Sequence, residues 1–115
     1  MAKSRPVTDR ELLDQIRTLA SQPDVVESTN SAQQGMVARN LTRAGVCQTI
    51  CEYLDDGLPV DEAVTESAAG HIGKTVYQMY PIIDAEDLFV KVGIQQEHGM
   101  PVLLLISVHE QHRGS

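Results

Sequence analysis

The residues of this chain best suited to move a proton or meet a phosphate lie mostly in its C-terminal half. From Asp87 to His112 the sequence alternates, turns near His98-Gly99, runs apolar through Val102–Ile106, and ends on His109, Glu110 and His112. Histidine is the side chain that exchanges protons most readily near neutral pH. Successive strand residues face opposite sides, so His109 and Glu110 are not expected to form a dyad. His109 and His112 are wrongly phased for a shared metal, and H-E-Q-H lacks the four-residue spacing of the helical zinc motif, so no metal is expected. Lys91 sits mid-strand between valines and shares a face with Phe89 and Gly93. An ammonium group held there can meet a phosphate. Lys74, Tyr77 and His71 would add a cation and hydrogen-bond donors beside it, with Phe89 supplying a ring. The plainer readings stand alongside: His109 as a solvated strand end, and Lys91 as a solvent-face lysine.

Other chemistries find no support. Gly70-His71-Ile72-Gly73-Lys74-Thr75 ends like a nucleotide-binding loop, but Ala68 stands where its first glycine belongs, and a strand rather than a helix follows. Serine and cysteine nucleophile motifs are absent. Cys47 and Cys51 lie four apart in a helical stretch, without zinc spacing, and read as small core or half-buried residues. No cofactor is expected. The formal net charge is −7, from 9 basic and 16 acidic residues. That balance is opposite to the basic surface of an ordinary nucleic-acid binder.

The elements that must position these residues follow from periodicity. Apolar residues make up 42% of the chain and aromatics only 3%, with no tryptophan, so the core must be aliphatic. Thr8-Asp9-Arg10-Glu11 reads as a capping box opening a first helix with Leu12, Leu13, Ile16, Leu19 and Ala20 on one face. Asp24–Thr29 reads as a short strand or an extended connection. A second helix begins near Ser31, and Thr42 caps a third that Gly57 ends. Leu58–Gly73 reads as a turn or short helix followed by a small-residue loop. The period then changes: strands are predicted in Lys74–Tyr80, Leu88–Gln95 and Pro101–Glu110, the last two joined through Gln96–Gly99. The run Val102–Ile106 predicts a strand covered on both faces.

The expected fold class is α+β, with N-terminal helices packed on a C-terminal antiparallel sheet of three strands or slightly more. Residues 1–7 are expected to be a disordered lead, 8–113 a single domain, and 114–115 a vector scar. No apolar run is long enough to span a bilayer, and the N-terminus lacks a signal-peptide core, so the expected location is the cytoplasm, with no membrane partner. His109 is expected at the exposed end of the sheet on the face of Lys91, with Ile106 and Val108 pointing the opposite way. Positions near Lys91 are expected to oppose Ile106 or Leu105, within a slip of one residue.

Five local strings stand in order along the chain: Thr29-x-Ser31-Ala32, Val46-Cys47, Val76-Tyr77 with Pro81, Phe89-Val90-Lys91-Val92, and Leu104-Leu105-Ile106-Ser107-x-x-Glu110. In order and spacing they resemble, over roughly Asp9 to Glu110, the MqsR family of toxins from type II toxin–antitoxin systems. The string from Ser31 to Thr42 is also similar to a helix of related small RelE-like domains, with Ser31 and Gly35 where those usually show His and Arg. The resemblance implies a RelE-like fold, metal-independent mRNA cleavage, and silencing by an antitoxin protein. Carried over by position, Lys91 is retained. A family lysine becomes Glu62, a glutamine becomes Lys74, a strand tyrosine becomes Phe89, and a C-terminal lysine becomes His109. The implied catalytic set is His109, Lys91 and Lys74, with Tyr77, Phe89 and His71 binding substrate. The other function class left open is a non-catalytic acidic module that keeps the fold and binds a protein partner or forms a homodimer.

Overall fold

A computed structural model describes residues 4–64 and 74–111. Helix α1 (Arg10–Ala20) starts one residue later than the capping box predicts. Its cap is Asp9, whose carboxylate accepts from the Glu11 and Leu12 amides, and Thr8 takes no part in that cap. A 3₁₀ turn (Pro23–Val25) leads into strand β2 (Glu27–Ser28), and Thr29 caps helix α2 (Asn30–Ala38). Asn40, at φ 55°, turns the chain in the left-handed region that asparagine tolerates. Thr42 then caps helix α3 (Arg43–Asp55), accepting from the Gly45 amide, and Gly57 follows that helix at φ 70°. Arg17 donates to both Asp55 carboxylate oxygens, at 2.7 and 2.9 Å, and so ties α1 to α3.

The sheet is larger than the one predicted and is mixed. Besides β2 it comprises β1 (Arg5–Pro6), β3 (Asp61–Val64), β4 (Thr75–Met79), β5 (Ile82–Ile83), β6 (Glu86–Glu97) and β7 (Met100–Glu110). Its order is β1-β3-β4-β6-β7-β2, with β5 pairing β6 off that path. The sheet is antiparallel except at β2, which runs parallel to β7. Three expectations are corrected. Residues 5–7 are not a disordered lead: β1 pairs with β3, and the Val7 amide donates to the Val60 carbonyl. Asp61–Val64 is a strand rather than part of a turn or short helix. The β6–β7 hairpin turns on two residues, His98 (φ 52°) and Gly99 (φ 79°), not four. Positive φ at both central positions matches the twist of the paired strands.

One face of the sheet carries the helices. Val90, Val92, Leu103, Leu105 and Val108 meet Ile16, Ala32, Met36, Val46 and Ile50 there, in an aliphatic core. On the outer face Leu104, Ile106 and Val76 form a second buried cluster, so the apolar run of β7 is covered on both sides as its pattern predicts. Ile106 departs from expectation. The register shifts between Lys91 and Val92, where Lys91 opposes Ser107 but Val92 opposes Leu105. This β-bulge makes Ile106 the extra residue and turns it to the outer face, away from Val108. Gly93 makes room for it, since a Cβ there would lie 3.2 Å from Ile106 Cδ1.

Helix α2 is seated directly on the backbone of β7. The Thr29 hydroxyl accepts from the Ala32 amide at 3.1 Å and donates to the Ile106 carbonyl at 2.7 Å, while the Thr29 amide donates to Leu105. Thr29→Ala removes a helix cap and leaves the carbonyl of the bulged residue without that donor. A loss of about 2 kcal/mol is expected in denaturant titration, with Thr29→Ser retaining most of it. A loss below about 0.5 kcal/mol would show that the hydroxyl bridge contributes little.

Candidate functional site

The outer face of the sheet, opposite the helices, is ordered in rows set by strand register. Asp61 pairs Gln78, Gln78 pairs Lys91, and Lys91 pairs Ser107, which lays a polar row across β3, β4, β6 and β7. Two residues further along the strands lies an aromatic row. Phe89 pairs His109 across β6 and β7, their rings stacked at 5.0 Å between centroids and 15° between planes. Tyr80 meets the other side of Phe89 edge-on, at 5.8 Å and 65°. Both geometries are favoured arrangements of aromatic rings. All seven residues are half-buried.

The charges are sparse and defined. Lys91 Nζ lies 5.9 Å from the Phe89 ring centroid, within cation–π range. The Tyr80 hydroxyl donates to Asp61 Oδ2 at 2.7 Å. Burial, and then the Asp61 carboxylate it is bonded to, hold that phenol well above its usual range, so Tyr80 stays a donor. His109 Nδ1 lies 2.7 Å from the Glu110 carbonyl oxygen. A carbonyl only accepts, so Nδ1 carries the hydrogen, and in the neutral ring Nε2 holds the lone pair. Glu110 itself points the other way, with Oε1 3.9 Å from Arg39 Nη2 on α2. The two residues form no dyad, as strand alternation requires.

No family model, curated protein or solved structure matches this chain.

The structure brings together only part of the predicted set. His109, Lys91 and Phe89 share one face and one end of the sheet. Tyr77 does not join them. It pairs Glu62 and Val92, packs on the helix-side core, and has its phenol pushed up by burial and by the Glu62 and Asp9 carboxylates. Lys74 is exposed ahead of β4. Gln78, the partner of Lys91, lies four positions further along the chain, a span of about 13 Å at strand rise. Lys74 therefore stands apart from the site. His71 and His112 lie outside the described residues. Among the described residues no group of His, Cys, Asp and Glu is arranged to hold a metal ion. Cys47 is buried, and its thiol is pushed up to about 11 by burial, which makes it unreactive near neutral pH.

Tyr80, Gln78, Ser107 and Asp61 were not predicted. The first three could have been found by period two, since Gln78 and Tyr80 share one face of their segment, and Ser107 shares the face of His109. Asp61 could not, because its segment read as a turn or short helix.

Proposed function

We propose that this chain acts on single-stranded RNA, as a metal-independent endoribonuclease of the MqsR-like, RelE-like kind or a descendant of one, working in the cytoplasm and held silent by an antitoxin. The observation that carries this reading is the stacked Phe89–His109 pair with Lys91 Nζ near the same ring. An aromatic row beside a cation on a sheet surface suits a nucleobase on the rings and a phosphate at the ammonium. In cleavage, His109 Nε2 takes the proton of the 2′-hydroxyl as its oxygen attacks phosphorus. Lys91 offsets the charge that develops on the phosphorane, and the departing 5′-oxygen takes a proton from water. The products are a 2′,3′-cyclic phosphate and a free 5′-hydroxyl.

Purified protein should cleave unstructured RNA in the presence of EDTA, leaving 2′,3′-cyclic ends, and its induction in cells should arrest growth. With Lys91 the one lysine of the cluster, the logarithm of the affinity should fall with the logarithm of salt at a slope of only about 0.7 per phosphate contacted. RNA left intact, together with harmless overexpression, would rule out catalysis.

The second reading is a non-catalytic acidic module that binds a protein partner or forms a homodimer. What favours it is the inward turn of Tyr77 and the remoteness of Lys74, in a chain of net charge −7. A protein that is inert toward RNA and purifies in fixed stoichiometry with another chain would establish it.

A further inference from the structure

On the helix side, the end of α3 and the β5 turn enclose a groove of about 600 Å³. Its apolar lining includes Leu58 and Ile82, which are 45% and 69% exposed, large aliphatic surfaces for two residues on one groove. Its acidic lining is Glu52, Asp56 and Asp84, and no lysine or arginine among the described residues lines it. None of these three carboxylates forms an ion pair with a described residue.

The wall of the groove is fixed before anything binds. The Tyr53 hydroxyl donates to the Pro59 carbonyl and accepts from the Tyr80 amide, which closes the gap between α3 and the strand ends. Strand β5 is open on one side. Its partner is β6, and no other described strand pairs with it. The Leu88 amide donates to the Pro81 carbonyl, and Ile83 opposes Glu86 across the turn. Alternation along an antiparallel pair then leaves the N–H and C=O of Ile82 directed away from β6. The groove thus offers a strand edge, aliphatic contacts and negative charge that no described cation neutralises.

We infer that this groove docks an extended segment of a partner protein in which lysine or arginine alternates with aliphatic residues. Backbone pairing to the β5 edge gives the segment its direction. Its aliphatic side chains cover Leu58 and Ile82, and its cations reach Glu52, Asp56 and Asp84. Charge complementarity selects this occupant over an acidic peptide or a second copy of this acidic chain. The inference does not depend on the RNA reading, whose Lys91 and His109 lie on the opposite face.

The test is to pan a displayed library of random peptides on the full chain and to measure the selected peptides by fluorescence anisotropy. The expected outcome is enrichment of sequences alternating Lys or Arg with Val, Ile or Leu, bound more weakly as salt rises. Ile82→Lys and Asp56→Lys should each weaken that binding by about tenfold or more. Both positions are exposed, so thermal midpoints should match wild type, and Val37→Lys on the exposed side of α2 should leave binding unchanged. Failure to enrich any peptide, enrichment of peptides without basic residues, or binding unmoved by both groove variants would overturn the inference.

Discussion

Gly35→Ala should lower the thermal midpoint by roughly 10 °C or more, although alanine is the better helix former by about 1 kcal/mol. Position 35 lies within α2, and a Cβ built there collides with the backbone carbonyl of Val108. That carbonyl cannot easily yield, because Val108 belongs to β7 and is held in register opposite Val90 of β6. The helix must lift instead, which loosens Ala32 and Met36 from the core and strains the Thr29 bridge at its start. Overpacking of this kind costs about 1–3 kcal/mol or more, against a total stability on the order of 5–15 kcal/mol. Calorimetry or a denaturant titration reads the effect directly. An unchanged or raised midpoint would mean that α2 stands clear of β7. The same contact explains why a glycine, rather than a long side chain, occupies this place in the second helix.

The second large effect concerns the site. If RNA is cleaved as proposed, His109→Ala should reduce the rate by about 100-fold or more, the usual contribution of a positioned general base. Loss of rate alone would not separate chemistry from the stack, because His109 also covers Phe89. His109→Phe separates them. It keeps a ring at the same position and removes the nitrogen, so oligonucleotide affinity should stay within about twofold while cleavage is lost. Cleavage by His109→Phe at the wild-type rate would remove His109 from the mechanism.

What could be read from the sequence divides along a physical line. The start of α3 was legible because Thr42 acts on an amide three residues away, well within reach of a local pattern, whereas α2 was placed near Ser31 without its cap, Thr29. Strands β4 and β6 announced themselves by alternation, and β7 by its apolar run. The shared face of Phe89 and Lys91 followed from alternation, but His109 reaches that face only through the bulge at Ile106: counted from the two-residue turn without it, Lys91 would oppose Ile106 and His109 would face the other side. Long-range pairing was not legible. Nothing in Arg5-Pro6 or Asp61–Val64 points to its partner strand, so β1 and β3 were missed, and Asp61 with them. Tyr77 was misplaced for a related reason: its neighbours in sequence suggested a site, but its face was decided by which side of the sheet the helices cover. The bulge was hidden as well, since a one-residue shift in pairing leaves no mark on the apolar run from Val102 to Ile106.

That bulge also determines how the chain can change length. In a regular strand, losing one residue exchanges the faces of everything beyond it. Between Met100 and Leu105, or from Val108 onward, such a deletion would turn residues meant for the core toward water or move His109 off the aromatic row. At Ile106 the arithmetic differs. Leu105 already opposes Val92 and Ser107 already opposes Lys91, so excising the residue between them would restore a continuous ladder with both faces preserved. The loss would fall on the small cluster with Val76 and Leu104 rather than on the phase of the strand. Strand β7 therefore has one place, the Ile106–Ser107 pair, where its length and its orientation are decoupled, directly between the apolar half of the strand and the end that carries His109.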